Sequence, residues 1–106
     1  MRTFVVYILS CSDGSFYTGI TSSLYLRLAE HNEGIDSHCY TYARRPVRLM
    51  WAQPFADETE ALTRERQIKG WSRAKKEALI RSDWEGLRAA SRQTKKRSRS
   101  SSSSPR

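Results

Sequence analysis

The sequence has few of the features that stabilise secreted proteins or anchor a chain in a membrane. Only two of its 106 residues are cysteines, Cys11 and Cys39, and because no Cys-x-x-Cys spacing joins them we interpret both as reduced thiols. The longest apolar run, residues 4–9, is far shorter than the roughly 20 residues that cross a bilayer. Arg2 and Thr3 before it do not form a signal peptide. We therefore expect a cytoplasmic protein with no membrane segment.

Acidic residues are missing from the end of the chain, and this decides where the excess charge lies. Residues 1–90 contain 13 Lys+Arg and all 11 Asp+Glu, a net charge of +2, whereas residues 91–106 contain 6 Lys+Arg and no acid, so they supply +6 of the total +8. A segment so rich in serine and cations cannot bury enough apolar surface to offset its loss of conformational entropy. We expect one domain over residues 1–90 and a disordered basic tail over residues 91–106.

The pattern of apolar and turn residues predicts an α+β fold: a three-stranded, mainly antiparallel sheet flanked by helices, in the order β-β-α-β-α-α. The first strand is apolar at its odd-numbered and its even-numbered positions, which indicates a central strand covered on both faces. Caps, glycines and prolines set the other boundaries. The predicted elements are strands at 4–9 and 16–20, a helix from a cap at Ser22 or Ser23 to Gly34, a polar loop at 35–45, a strand at 47–53 between Pro46 and Pro54, a helix from the capping box Asp57/Glu60 to Lys69, and a basic helix at 73–81.

The turn at Gly14 leaves two registers open for the first hairpin. A two-residue loop would place Tyr7 and Tyr17 on opposite faces of the sheet. A three-residue loop, with Gly14 in the left-handed conformation, pairs Tyr7 with Gly19 instead. We favour this second register, because Gly19 has no side chain and leaves space beside the Tyr7 ring. Tyr7, Leu9 and Tyr17 then share one face.

Two of the predicted helices carry polar residues beside or within their apolar faces. On the first, Arg27 and His31 lie one turn apart along the border of the apolar stripe. On the second, Glu65 lies in the middle of the apolar face, which consists of Ala61, Leu62 and Ile68. A carboxylate in such a position costs several kcal/mol unless it is paired, protonated or bound to a cation. Each of these residues, and each of the two tyrosines, also has an ordinary structural explanation when it is taken alone.

Taken together, four ordered segments resemble the GIY-YIG nucleases. Val5-Val6-Tyr7 stands where the family has Gly-Ile-Tyr, and Tyr17-Thr18-Gly19 stands where it has Tyr-Ile-Gly. Arg27 with His31 fits the helix motif of the family, and residues 61–71 fit the segment that contains its metal-binding glutamate. Val5 and Thr18 depart from the motif, but neither position supplies a functional group. The resemblance covers about residues 4–83 and is closest to the small stand-alone bacterial branch, often labelled URI-type.

This resemblance implies metal-dependent hydrolysis of phosphodiester bonds, with DNA as the expected substrate and RNA as an alternative, in a structure-specific reaction of repair or recombination. Glu65 would hold Mg²⁺ or Mn²⁺, since Mg²⁺ commonly binds one or two carboxylates together with phosphate oxygens and waters. Arg27 would neutralise charge on the scissile phosphate. Tyr7 would be the general base, with His31 as the alternative base or proton shuttle, and Tyr17 would orient water or phosphate.

Other features of the sequence leave further interpretations open. We expect cations of the last two helices to contact the nucleic acid, namely Lys69, Arg73, Lys75 and Lys76. Four candidate zinc ligands lack the paired close spacing of structural zinc sites: Cys11, His31, His38 and Cys39. The main rival function is a non-catalytic nucleic-acid-binding module on the same scaffold, and the next is a protein-interaction domain with an acidic partner. We expect the protein to be a monomer.

Overall fold

The computed structural model describes residues 2–82, which divide into two compact units at the boundary between Arg66 and Gln67. The predicted tail at 91–106 and the predicted domain boundary at residue 90 lie outside the described residues and stay predictions.

Three strands form one sheet in the order β2-β1-β3, namely β1 (Phe4–Ser10), β2 (Phe16–Thr21) and β3 (Arg48–Phe55). Both pairings are antiparallel, and β1 is the central strand, as predicted. Three helices follow the predicted order: α1 (Leu24–Glu33), α2 (Glu58–Lys69) and α3 (Arg73–Ile80). The α+β class and the β-β-α-β-α-α order are therefore confirmed.

The first hairpin has the three-residue loop, and the favoured register is confirmed. Tyr7 pairs with Gly19 and Leu9 pairs with Tyr17. Gly14 has a φ of +87°, which an L side chain rarely adopts and which glycine adopts freely. A Cβ atom at Gly19 would lie 2.5 Å from Tyr7 Oη, so the Tyr7 ring occupies the space that a side chain at position 19 would need.

Strand β3 extends further than predicted. The proline at position 54 does not end the strand, because β3 runs to Phe55 and Pro54 pairs with Val5. The prediction of an end at Gln53 was wrong, since β3 is an edge strand, where the missing N–H of proline leaves no ladder hydrogen bond unmade.

Helix α1 begins after Ser23 and ends at Gly34, as predicted, but its first turn lacks the expected side-chain cap. Ser23 is at the N-cap position, but its side chain makes no cap hydrogen bond, and its ψ of 82° lies outside the usual extended range for a cap residue. Gly34, with a φ of +72°, ends the helix and donates its N–H to carbonyls of the last turn. Asn32 attaches this end to the segment before β3, because its side chain accepts from Val47 N–H at 2.7 Å and donates to Val47 O at 3.1 Å.

The core of the first unit lies on the sheet face that carries Tyr7. The buried cluster consists of Tyr7, Leu9, Cys11 and Val47, with Tyr17, Leu24, Leu28 and Leu49 packed against it. The opposite side chains of β1, Val6 and Ile8, have no exposed surface. The central strand is therefore covered on both faces, as its apolar sequence predicted.

A side chain caps the start of each later helix, and the cap at Asp57 was predicted. At α2 the Asp57 carboxylate accepts the Glu60 N–H at 3.3 Å. Ala61 is fully buried on this helix and Glu65 is only 8% exposed, so a buried Glu65 is confirmed, although Leu62 is only half-buried. At α3 the Ser72 hydroxyl accepts the Lys75 N–H at 3.2 Å.

Candidate active site

Four of the five predicted catalytic residues meet on one face of the sheet. Tyr7 is 1% exposed, and its Oη lies 3.0 Å from His31 Nε2. The Tyr17 ring lies edge-on to His31, with centroids 5.2 Å apart, and tilted against Tyr7 at 6.3 Å. Arg27, one turn before His31 on α1, places its cation close enough to Tyr7 to lower the pKa of that hydroxyl. The hairpin register and the i, i+4 spacing of Arg27 and His31 bring the four together.

The direction of the hydrogen bond from Thr41 to Cys39 favours one tautomer of His31. Thr41, which is 1% exposed, donates its hydroxyl proton to Cys39 Sγ at 3.4 Å. The Thr41 oxygen can then accept from His31 Nδ1, which is 2.8 Å away. With the proton on Nδ1, Nε2 carries a lone pair that accepts the Tyr7 O–H. A chain of hydrogen bonds therefore runs from Tyr7 through His31 and Thr41 to Cys39.

Burial shifts the proton affinities of Tyr7 and His31 in opposite directions. Burial, reinforced by the neighbouring Tyr17, raises the pKa of Tyr7 to about 12, although Arg27 acts to lower it. Burial also lowers the pKa of His31 below its usual 6.5, and the Arg27 cation lowers it further. At neutral pH the tyrosine is therefore protonated and the imidazole is neutral, which are the forms that the hydrogen bond between them requires.

Arg27 is held at the edge of the site by an acidic neighbour. Its Nη1 donates to Glu30 Oε1 at 3.2 Å, and both side chains are partly exposed, at 48% and 37%. Exposed ion pairs of this kind contribute at most about 1 kcal/mol to the stability of the fold. A phosphate could therefore take over part of the hydrogen bonding of Arg27 at little cost, while the guanidinium stays beside Tyr7.

The loop at 35–45 was predicted only as a polar connection, and it supplies residues that the sequence analysis missed. Thr41 contacts His31, as described, and Tyr40 stacks on Tyr17, with centroids 6.2 Å apart and the rings 19° from parallel. The loop is attached through Arg44, which bonds Asp13 at 3.1 Å and Tyr40 O at 2.8 Å. The sequence signal for a role of this loop in the site is its aromatic content, namely Tyr40 and Tyr42. Solvated loops contain few tyrosines.

Glu65 is the fifth predicted catalytic residue and the predicted metal ligand. Its carboxylate is nearly buried on α2, while convergence with the other four residues stays a prediction. Within residues 2–82 no group of three or more His, Cys, Asp or Glu side chains is arranged to hold a metal ion. A single buried carboxylate still fits Mg²⁺, which takes its remaining ligands from waters and substrate phosphate. A single carboxylate does not fit zinc. Cys39, one of the four candidate zinc ligands, instead lies 3.9 Å from His31 Nδ1 as part of the hydrogen-bond chain.

The predicted nucleic-acid contacts differ in how accessible they are. Lys69 and Arg73 are exposed, and Arg73 bonds Glu77 at 3.0 Å. Burial lowers the pKa of Lys76, which is half-buried. Lys75 is only 3% exposed, and its ammonium lies 4.3 Å from the Trp71 ring centroid. The prediction of Lys75 as a surface contact therefore needs correction, because its stem is packed and its charge faces an aromatic ring.

Comparison with known proteins identifies the sequence pattern. The family model described as GIY-YIG catalytic domain matches residues 3–78. A UPF0213 protein of Halobacterium salinarum is 50% identical over 75 residues, which are 71% of this chain and 96% of that protein. A UPF0213 protein of Staphylococcus aureus is 43% identical over 81 residues, 76% of this chain and 98% of that protein.

One solved structure supports the same fold. A protein of E. faecalis, determined by solution NMR, is 34% identical and superposes with a TM-score of 0.55, covering 77% of this chain and 86% of that one. Among residues 2–82, no helix combines the length and the apolar character that a membrane crossing needs.

Proposed function

The chain belongs to the GIY-YIG family, and on that premise we propose that it is an endonuclease that hydrolyses phosphodiester bonds with Mg²⁺ or Mn²⁺. The observation that carries the proposal is the 3.0 Å hydrogen bond between Tyr7 Oη and His31 Nε2. This pair offers a proton acceptor for an attacking water, and the Arg27 cation beside it offers a place for the phosphate. We propose DNA as the substrate and a monomer as the active form.

Tyr7 and His31 act as one general base in this proposal. With a pKa of about 12, Tyr7 holds its proton at neutral pH and is a poor base alone. As Tyr7 Oη takes a proton from the attacking water, its own proton passes to His31 Nε2. The water oxygen forms the new bond to phosphorus, the bond to the leaving oxygen breaks, and His31 becomes an imidazolium. The two candidates for the base are therefore consecutive parts of one relay.

Thr41 sets the direction of this relay. By accepting from His31 Nδ1, it keeps the free lone pair of the ring on Nε2, where Tyr7 can reach it. Burial, together with the nearby Arg27 cation, lowers the pKa of His31, so the imidazolium gives up its proton readily after the reaction. We propose that Thr41 is a positioning residue, because it acts through His31.

The remaining groups deal with charge. Arg27 would neutralise charge on the phosphate through its planar guanidinium, and Tyr17, packed against both Tyr7 and His31, would orient water or phosphate. Glu65 would hold the metal ion. When bound, Mg²⁺ or Mn²⁺ supplies Lewis-acid stabilisation of the phosphate and leaving oxygen.

A cleavage panel tests the proposed function. Labelled duplex, flap, junction, single-stranded and RNA oligonucleotides are incubated with the protein in Mg²⁺, in Mn²⁺ and in EDTA. We expect cleavage of at least one DNA substrate that requires metal, and the preferred structure would test a role in repair or recombination. Salt-sensitive binding without cleavage would instead support the non-catalytic module, and absence of any nucleic-acid affinity would support the protein-interaction domain.

A further inference from the structure

A cavity of about 220 Å³ opens beside the candidate site, between the last turn of α1 and the loop at 35–42. Its walls include Arg27, His31 and Thr41, so it shares residues with the proposed active site. Ile35 and Tyr42 also line it, although they are 67% and 38% exposed. The proposed reaction uses neither of these two apolar side chains. The cavity is smaller than the roughly 300–1,000 Å³ pockets of drug-sized ligands, which suits a single aromatic heterocycle.

Tyr42 is fixed as an aromatic surface at this cavity. The Arg45 guanidinium lies 4.6 Å from the centroid of the Tyr42 ring, and Arg45 Nε donates to Tyr42 O at 2.7 Å. Tyr40 and Arg44 repeat the arrangement, with 3.9 Å between guanidinium and ring centroid. Aromatic rings combined with arginine are the groups that stack on unpaired bases.

Two carboxylates in the same cavity argue that its occupant is a base rather than a phosphate. Glu30 and Asp36 both line the cavity. Each already accepts one hydrogen bond, from Arg27 and from the His38 N–H respectively. A carboxylate has about four acceptor positions, so both retain capacity for the N–H groups of a base edge. The negative charges of Glu30 and Asp36 repel a phosphate from the cavity. The phosphate therefore contacts Arg27 at the edge of the cavity.

We propose that this cavity binds one unpaired nucleobase, belonging to the nucleotide that flanks the phosphate at Arg27. The base stacks on Tyr42, and its amino or imino N–H groups donate to Glu30 or Asp36. The proposal rests on the proposed function for the position of the phosphate. A base inside a continuous duplex would first have to leave its stack, which costs a few kcal/mol. The preferred substrates are therefore single strands, flaps or other DNA with an unpaired nucleotide at the cleavage point.

Binding of a fluorescent base analogue tests the cavity without requiring cleavage. Single-stranded oligonucleotides with one 2-aminopurine are titrated with the protein in metal-free buffer, since stacking quenches this fluorophore. We expect quenching by the wild type and by Tyr42→Phe, and loss of quenching with Tyr42→Ala. The affinity of Tyr42→Ala should fall roughly 5- to 150-fold, the range expected for one base–aromatic stack. Tyr25→Ala is the matched control, because Tyr25 is 80% exposed on α1 and does not line the cavity.

An abasic oligonucleotide makes the test specific to the base. Removing the base at the quenched position should weaken binding to the wild type by the same factor as Tyr42→Ala, and the two changes combined should cost no more than either alone. A full effect of Tyr42→Ala on the abasic strand, or no quenching by the wild type, would overturn the proposal. If Tyr42→Ala does not fold, the wild type with intact and abasic strands decides it. Quenching without metal-dependent cleavage would support the base-binding cavity and refute the proposed nuclease activity.

Discussion

Substitution of Gly19 by alanine tests how the hairpin register builds the site. A Cβ at this position would lie 2.5 Å from Tyr7 Oη, 2.6 Å from Tyr7 Cζ and 3.1 Å from Tyr17 Cε2, where ordinary contacts begin at 3.4 Å. The Tyr7 ring must therefore move by about 0.9 Å, which is the difference between 3.4 and 2.5 Å. Since its hydrogen bond to His31 is 3.0 Å long, a shift of that size can take it beyond hydrogen-bond range.

The cost of Gly19→Ala should appear in both stability and activity. The Tyr7 ring is 1% exposed and cannot turn into solvent, so we expect an overpacking penalty of about 1–3 kcal/mol, which lowers Tm by roughly 4–24 °C. Cleavage should fall at least about 100-fold under folded conditions, because the proton relay is broken. The measurements are thermal unfolding and single-turnover cleavage of the same variant, with ¹⁵N NMR of the His31 ring nitrogens as a readout that does not depend on activity.

Gly14→Ala is the control for this experiment. Nothing lies within 4 Å of a Cβ at Gly14, but its φ is +87°, so the substitution strains the backbone by about 1–2 kcal/mol without touching the site. We expect a comparable loss of Tm and unchanged cleavage. Wild-type cleavage by folded Gly19→Ala, or an equal loss of cleavage in Gly14→Ala, would refute the proposed link between the register and the relay.

Three further predictions concern individual groups of the site. Thr41→Val should lower kcat and move the acidic limb of the pH–rate profile, and Thr41→Ser should restore both. An unchanged profile would show that Thr41 has only a packing role. Glu65→Gln should abolish Mg²⁺-dependent cleavage and retain DNA binding, and a folded variant with wild-type cleavage would exclude the metal-ligand role. Because the pKa of His31 is lowered in the folded state, its contribution to stability should be complete above pH 6.5 and be lost as pH falls through the lowered value. Cleavage should rise with pH over the same window, and an NMR titration midpoint of His31 above 6.5 would contradict this.

Local sequence signals predicted the parts of the fold that local physics controls. Gly14 fixed the loop length and Gly19 the pairing partner of Tyr7, because both act through backbone conformation or missing volume at one position. The helical spacing placed Glu65 on a buried face. The same helical spacing also indicates that Lys75 is buried. Ala78 and Leu79 follow it at i+3 and i+4, and all three lie on the buried face of α3. The charge of Lys75 indicates an exposed contact, whereas its helical position indicates burial.

The rest of the site depends on contacts that have no sequence period. Thr41 reaches His31 from a loop ten residues further along the chain, and its oxygen can accept from His31 because its own proton is donated to Cys39. Tyr42 lines the cavity with the Arg45 guanidinium against its ring, and the two residues lie at the ends of a short 3-10 helix (Tyr42–Arg44) that the sequence did not predict. Hydrogen-bond partners of this kind are fixed by the folded loop, and only the structure reveals them.

The most direct test of the central claim is the single-turnover cleavage rate of Tyr7→Phe, His31→Ala and the double variant, measured on the best DNA substrate in saturating Mg²⁺. If Tyr7 and His31 form one relay, each single change should lower the rate by about 10²- to 10⁴-fold, and the double change should lower it no further than the larger single loss. Losses that multiply in the double variant, or a folded Tyr7→Phe that cleaves at the wild-type rate, would contradict the relay.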